Sequence, residues 1–182
     1  AQDSTDSNAT AAGLEACRAV SSLLEYLGTS PVPMLKNGGL GQRSSKLLAQ
    51  QLGFTTANVY RAVALAYSAG LLGTGEPKPL PAAGEGNYLA PTRRADDWQE
   101  SDLATRWAML LRGWITSPWA WWILLTDTSS TTAQSSRADG HHRLLHPEFS
   151  QHRLAFSRRL VLQGLARSSA QGSVSEPELW QD

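Results

Sequence analysis

The sequence has few of the residues that build disulfide-stabilised or metal-binding proteins. Its 182 residues include one cysteine, Cys17, and two methionines. A single cysteine excludes an internal disulfide and any zinc site built on several thiolates. Cys17 stands at helical spacing from Leu14, Val20 and Leu24. This spacing predicts a small buried apolar side chain rather than a reactive thiol.

Long apolar runs are also missing. The tryptophan-rich run at residues 119–125 is far shorter than the roughly 18 residues that a membrane-spanning helix needs, and no secretory signal is visible. We therefore expect a cytoplasmic protein with no membrane partner. Apolar residues make up 41% of the chain and charged residues 18%, so it can form a core. Because the chain ends on Leu179-Trp180-Gln181-Asp182, we expect a fragment of a longer protein.

Charge is balanced over the whole chain, with 16 basic and 16 acidic residues, but it is unevenly distributed. Residues 31–92 carry five basic and two acidic residues, a net charge of +3, and Arg93 and Arg94 follow directly. The first 29 residues carry one basic and four acidic residues, a net charge of −3. A locally basic module is compatible with nucleic-acid binding, although its charge lies far below that of a strong binder.

No pattern of catalytic or ligand-binding residues stands out. The glycines between Gly38 and Lys46 do not follow the order of a phosphate-binding P-loop, so we interpret them as turn formers. The histidines 141, 142 and 146 have no complete ligand set nearby and are interpreted as a solvated patch. No serine stands in a Gly-x-Ser-x-Gly elbow. We therefore expect no enzyme activity, no cofactor and no bound metal.

Hydrophobic periodicity predicts a mainly helical fold with a winged helix-turn-helix at its centre. Helices are expected over residues 11–27, 42–52 and about 57–69, with glycine at the end of each. The last two are joined by a tight turn. The proline- and glycine-rich excursion 73–86 and the strand-like run 87–90 then complete a small β wing. The apolar face of the second predicted helix consists of Leu47, Leu48 and Leu52. The buried face of the third helix is predicted to contain Val59, Ala62, Val63 and Ala66.

Additional packed helices are expected around this module. Leu103, Trp107, Leu110 and Trp114 recur at steps of three and four, so the tryptophans are interpreted as core rather than as a platform for stacked bases. One helix is expected over residues 102–115, with Ser101 as its N-cap and Trp98 packed at its base. The last helix is expected over residues 147–166, with apolar positions at Phe149, Leu154, Leu160, Val161 and Leu165. The predicted segments are 1–30 (helix with a frayed tail), 31–92 (winged helix-turn-helix), 93–126 (tryptophan-rich helical extension), 127–145 (Ser/Thr-rich linker) and 146–182 (helix and the start of a truncated second winged-helix segment).

The glycine turn and its flanking helices resemble a known family. Residues 35–43 read Leu-Lys-Asn-Gly-Gly-Leu-Gly-Gln-Arg, and Leu-Leu-Ala at 47–49, Leu-Gly at 52–53 and Ala-Gly-Leu-Leu at 69–72 follow. The Pro-Thr pair at 91–92, Ala-Asp-Asp-Trp at 95–98, Arg-Trp at 106–107 and Trp114 continue the pattern. Residues 32–115 thus resemble the actinobacterial helicase-associated proteins whose domain is named after the N-terminal region of XPB/Ssl-type repair helicases. Residues 159–180 are similar to the start of a second winged-helix segment in such proteins.

The resemblance implies a helicase-associated accessory region that acts on or near DNA without helicase motifs of its own. A first hypothesis is weak, nonspecific DNA binding in DNA repair or processing. The N-terminal part of the second helix of a helix-turn-helix enters the major groove, and about four to six phosphate contacts would give a salt slope of roughly −4 to −5. The residues expected to contact DNA are Arg43, Ser44, Lys46, Thr56, Asn58, Arg61 and, in the wing, Lys78.

A second hypothesis is a protein-docking winged helix with no direct nucleic-acid contact. Its partner would be a helicase or another repair protein. The surface expected to dock this partner is the small and apolar face of the third predicted helix, formed by Ala57, Ala64, Leu65 and Ser68.

Overall fold

The computed structural model describes residues 2–120, 144–147 and 150–168. Over these residues the protein is mainly helical, with one small antiparallel sheet. Residues 127–143 of the predicted linker, which include His141 and His142, lie outside the described residues, as do Trp121 and Trp122. The described elements are α1 (Gln2–Thr29), β1 (Val32–Pro33), α2 (Gln42–Leu52), α3 (Thr56–Ser68), β2 (Leu72–Gly75), β3 (Tyr88–Pro91), α4 (Arg93–Glu100), α5 (Leu103–Thr116) and α6 (Leu154–Ser168).

The three short strands pair in the order β1-β3-β2, and both pairings are antiparallel. Val32 of β1 lies opposite Leu89 of β3, and Leu72 of β2 lies opposite Pro91. The side chains of Val32, Leu72 and Leu89 are buried, so one face of the sheet closes the core. None of the described helices is both long and apolar enough to cross a bilayer.

The central helices have nearly the bounds that the sequence predicts. Helix α2 begins at Gln42 and ends at Leu52, and Gly53 follows it with a left-handed φ of 65°, which a glycine adopts without steric cost. Helix α3 begins at Thr56, one residue before the predicted start. Its N-cap is Thr55, whose hydroxyl accepts a hydrogen bond from the Asn58 amide at 3.2 Å. The predicted buried face of α3 is confirmed.

Helix α1 is longer than predicted. It begins at Gln2 instead of residue 11, so residues 4–12 form exposed helical turns rather than a frayed tail. Its other half packs against α3, β3 and α5. Val20, Leu23, Leu24 and Leu27 are buried there, in the same core as the apolar face of α3. The first helix is therefore one wall of the core that encloses α3.

Two helices follow the sheet where one was predicted. Helix α4 contains the buried Trp98, whose indole N–H donates to the Arg106 carbonyl at 3.0 Å. The guanidinium of Arg106 lies over the Trp98 ring, 5.4 Å from its centroid. Trp98 thus packs at the base of α5, as predicted. The N-cap of α5 is Asp102 rather than the expected Ser101, since the Asp102 carboxylate accepts from the Thr105 amide.

Helix α5 packs closely against the C-terminal end of α3. A Cβ built on Gly113 of α5 would lie 2.5 Å from the Ala69 Cα and 2.8 Å from the Ser68 carbonyl carbon. Only a glycine permits this approach of two backbones. The Ser68 hydroxyl also hydrogen-bonds the Ser117 hydroxyl at 3.0 Å. Helix α5 therefore covers a face of α3.

The tryptophans along α5 are packed rather than presented to solvent. Trp107 lies 3.2 Å from the position of a Cβ on Gly13 of α1, and the Trp119 ring meets Tyr67 edge to face at 6.2 Å. Trp114 lies under the guanidinium of Arg158, at 5.1 Å. The interpretation as core is confirmed for Trp98, which is fully buried, while Trp107 and Trp119 are partly buried against the core. Trp114 is half-buried beside Arg158.

The last described helix, α6, begins at Leu154, later than the predicted start at residue 147. It is held to α5 by the buried Arg158, whose guanidinium donates to the backbone carbonyls of Trp114, Ser117 and Trp119. These carbonyls belong to the end of α5 and the segment after it, so Arg158 completes the hydrogen bonds that the helix end leaves open.

Candidate nucleic-acid interface

Helices α2 and α3 contain basic residues and no acidic ones. The chain has no aspartate or glutamate between Glu25 and Glu76, so neither helix contains a carboxylate. Arg43 and Lys46 are exposed on α2, and Arg61 is exposed on α3. Because no acidic residue stands in the first turn of either helix, their partially positive N-termini add to this field. Three cations that were predicted to contact phosphates or bases, Arg43, Lys46 and Arg61, are therefore exposed on two consecutive helices.

Ser44 does not belong to this surface. Its side chain is only 7% exposed, and its hydroxyl donates to the Pro33 carbonyl at 3.0 Å. The predicted phosphate contact is thus wrong, since this hydroxyl joins α2 to β1 in the interior. Leu47, by contrast, was expected in the apolar face of α2 and is exposed, whereas Ser45 is buried and donates to the Gly41 carbonyl at 3.2 Å.

The first turn and a half of α3 remains accessible. Thr56 is exposed and Asn58 is half-buried. The Arg61 guanidinium donates to the Asn58 side-chain oxygen at 3.3 Å, which is long for a hydrogen bond and therefore easily exchanged for a ligand. Asn58 and Arg61 are the side chains on this helix with the geometry to read adenine and guanine, respectively.

Lys78 lies apart from these residues. It is exposed in the proline-rich segment between β2 and β3, which the Tyr88 hydroxyl ties back by donating to the Gly84 carbonyl at 3.0 Å. This segment borders a cleft of about 780 Å³ that is otherwise lined by the end of α1, by β2 and β3, and by the start of α4. The structure therefore does not bring Lys78 together with the cations of α2 and α3 in one cleft.

The predicted protein-docking face of α3 is largely covered. Ala64 is buried, and Ala57, Leu65 and Ser68 are half-buried. Leu65 packs against the core, and Ser68 contacts Ser117 beyond α5. The prediction of an exposed apolar face is wrong because α1 and α5 occupy that side of α3. A Leu65→Asp substitution would destabilise the fold before it tested any partner.

A groove of about 370 Å³ is lined by residues of both α1 and α3. Phe54 and Leu65 form part of its apolar lining, together with alanines of α1. Sequence periodicity could not reveal this groove, because its two walls lie far apart in the chain. The polar and charged side chains that border it are Glu15, Arg18, Ser22, Asn58 and Arg61.

Cys17 and Arg158 lie outside this surface and have shifted pKa values. Burial raises the pKa of the Cys17 thiol, an effect that the charge of Arg106 partly offsets, so the thiol stays protonated and a poor nucleophile. Burial lowers the pKa of the Arg158 guanidinium. Among the described residues, no three histidine, cysteine or acidic side chains group as a metal site.

Comparisons with protein-family models, with curated proteins and with solved structures find no match to this chain.

Proposed function

We propose that this chain is a non-catalytic winged-helix module that binds duplex DNA weakly and without sequence specificity through α2 and the first turns of α3. The resemblance to helicase-associated proteins leads us to place it in DNA repair or processing in the cytoplasm. The observation that carries the proposal is that α2 and α3 contain no carboxylate and expose Arg43, Lys46 and Arg61.

The order of elements supports the winged-helix assignment. A helix, a short strand, two helices joined by a tight turn and a two-stranded hairpin follow one another from α1 to β3. The first strand pairs with the last one, so the three strands form one small antiparallel sheet, as the strands of a winged helix do. In this arrangement α3 is the helix that would approach the major groove.

The strength of binding follows from the number of accessible cations. With Ser44 buried and Lys78 elsewhere, three cationic side chains are available rather than the four to six contacts first expected. At about 0.9 released counterions per phosphate contact, log K should fall with log salt with a slope of roughly −3. Such a surface binds with a dissociation constant of about 10⁻⁴ to 10⁻⁶ M at physiological salt.

A double charge reversal tests the proposal. Arg43→Glu with Arg61→Glu should weaken binding to a fluorescent duplex at least about tenfold and reduce the salt slope by about 2. The matched control, Arg93→Glu with Arg112→Glu, makes the same change of net charge at exposed positions of α4 and α5 and should have a much smaller effect. Equal losses in the two double variants would mean that only net charge matters. No loss in the first would refute the proposed interface.

The second candidate is a protein-docking role without DNA contact, for which the groove between α1 and α3 is the supporting observation. The partner would be a helicase or repair protein. Ala16 lines this groove and is half-buried, so Ala16→Arg should obstruct it while leaving Arg43 and Lys46 in place. Loss of binding to a helicase partner in this variant, together with unchanged DNA affinity in the double charge reversal, would favour docking.

A further inference from the structure

Helix α6 exposes large apolar side chains. Phe156, which was not among the predicted apolar positions, is 65% exposed, Leu160 51%, Val161 38% and Leu165 36%. Full burial of such a side chain is worth about 1.5–3 kcal/mol. Single exposed apolar residues are normal on a surface, but a contiguous group of them marks an interaction site.

Helical spacing divides these side chains between two sides of α6. Phe156 and Leu160 are four residues apart and lie side by side on the outer face. Val161 and Leu165 are three and seven residues after the buried Arg158 and therefore lie beside it. That side of α6 is fixed to α5 by the Arg158 guanidinium. The orientation of the outer face is therefore set by the fold.

Arginines flank Phe156 and Leu160 on the outer face of α6. Arg153, Arg159 and Arg167 are exposed, and residues 150–168 contain no aspartate or glutamate. Cations around an apolar patch favour a partner that carries carboxylates and disfavour a basic one. Pairing of α6 with α6 of a second copy would bring the arginines of both copies together, so a symmetric dimer fits this face poorly.

We propose that the outer face of α6, from Arg153 to Arg167, binds an amphipathic helix of another protein in which leucine-type side chains are flanked by carboxylates. Phe156 and Leu160 supply affinity by burying apolar area, and the arginines select the acidic partner. Nucleic acid fits less well, because this face carries one aromatic ring, that of Phe156, and not the row of rings on which successive bases stack. This proposal does not rest on DNA binding by α2 and α3.

A pair of designed peptides tests the chemistry with the complete 182-residue chain. One peptide is a helix with leucines along one stripe and glutamates on both flanks, and its twin has lysine in place of every glutamate. Fluorescence anisotropy should give at least about tenfold tighter binding of the glutamate peptide, a preference that shrinks in 0.5 M salt because the charges are screened. Phe156→Ala with Leu160→Ala should weaken binding at least about tenfold.

Two further variants separate charge recognition from other effects. Arg159→Glu with Arg167→Glu should reverse the preference toward the lysine peptide. The double reversal Arg43→Glu with Arg61→Glu should leave peptide binding unchanged, so failure of the DNA proposal and failure of this one are distinguishable. The melting temperature of Phe156→Ala with Leu160→Ala should stay within about 2 °C of the parent, as expected for exposed positions.

Several outcomes would overturn the proposal. Equal affinity for the two peptides would show that the arginines select nothing. A fall in melting temperature of more than about 2 °C in the Phe156→Ala, Leu160→Ala variant would show that other parts of the chain cover these two side chains. A dimer in sedimentation that the alanine variant abolishes would make a second copy the occupant. Finally, loss of binding to single-stranded DNA or to phosphatidylserine vesicles in the Arg159→Glu, Arg167→Glu variant, with no peptide bound, would assign the face to those anions.

Discussion

Gly113→Ala should destabilise the protein although it replaces a glycine inside a helix. In an exposed helix interior, alanine is more favourable than glycine by about 1 kcal/mol. At this position the new Cβ would lie 2.5 Å from the Ala69 Cα and 2.6 Å from the Ala69 nitrogen. Ordinary contacts of a Cβ begin at 3.4 Å, so α5 and the end of α3 would have to separate by about 0.9 Å.

The expected cost follows from what that separation disturbs. The atoms in the way belong to the backbone and cannot rotate aside as a side chain would, so a tightly packed interior must shift. The 3.0 Å hydrogen bond between Ser68 and Ser117 crosses the same contact. Overpacking of this kind costs about 1–3 kcal/mol or more. After the gain in helix propensity, we expect a net loss of about 2 kcal/mol, or roughly 4–8 °C in melting temperature for a chain of this size.

The matched control is Gly28→Ala in α1. Gly28 is also helical, and a Cβ built there would have no heavy atom within 4 Å. The same chemical change should therefore stabilise the protein by up to about 1 kcal/mol. Urea unfolding followed by circular dichroism measures both variants. If Gly113→Ala were as stable as Gly28→Ala, the close packing of α5 on α3 would be refuted, and with it the reason why α3 is covered.

Three other perturbations have defined outcomes. Cys17 should react with a thiol reagent at least about 100-fold more slowly in the native protein than in guanidinium, because it must be exposed by an opening of the structure first. Arg158→Met should cost about 3 kcal/mol in urea unfolding, since it leaves carbonyls without their charged donor. Hydrogen bonds from Thr105 hold the pKa of Asp102 below its usual value, so Asp102 stabilises the fold above its unfolded pKa of about 3.9. The stability difference between parent and Asp102→Ala should therefore shrink as the pH falls below that value.

Local signals in the sequence sufficed for the centre of the fold. The bounds of α2, its terminating Gly53 and the hydroxyl cap of α3 depend on residues within one or two helical turns of each other. The same holds for Arg43, Lys46 and Arg61, whose exposure follows from the apolar stripes of their own helices. These elements could be predicted because the residues that determine them lie close together in the sequence.

The errors concern contacts made over long distances in the chain. Periodicity predicted that Leu47 is buried and Ser44 exposed, yet the Ser44 hydroxyl donates to the Pro33 carbonyl of β1. Likewise, the apolar stripe on α3 predicts one buried face. It does not predict that α1 and α5 also pack against the second half of this helix. On α6 the apolar residues follow a helical period and are nevertheless exposed, because periodicity reports amphipathicity and not the presence of a partner.

The enclosure of α3 limits what the helix can recognise. Beyond Arg61 every residue of α3 is buried or half-buried, so the helix cannot lie along the floor of a major groove over its whole length. Only its first turns can approach base edges, and there Asn58 and Arg61 are the side chains able to form directed contacts. Two such residues would discriminate few base pairs, whereas the cations of α2 would contact phosphates of any sequence. Under the DNA-binding proposal, a fold that covers most of α3 is therefore better suited to binding DNA by backbone charge, or to being carried to DNA by a partner, than to selecting a sequence.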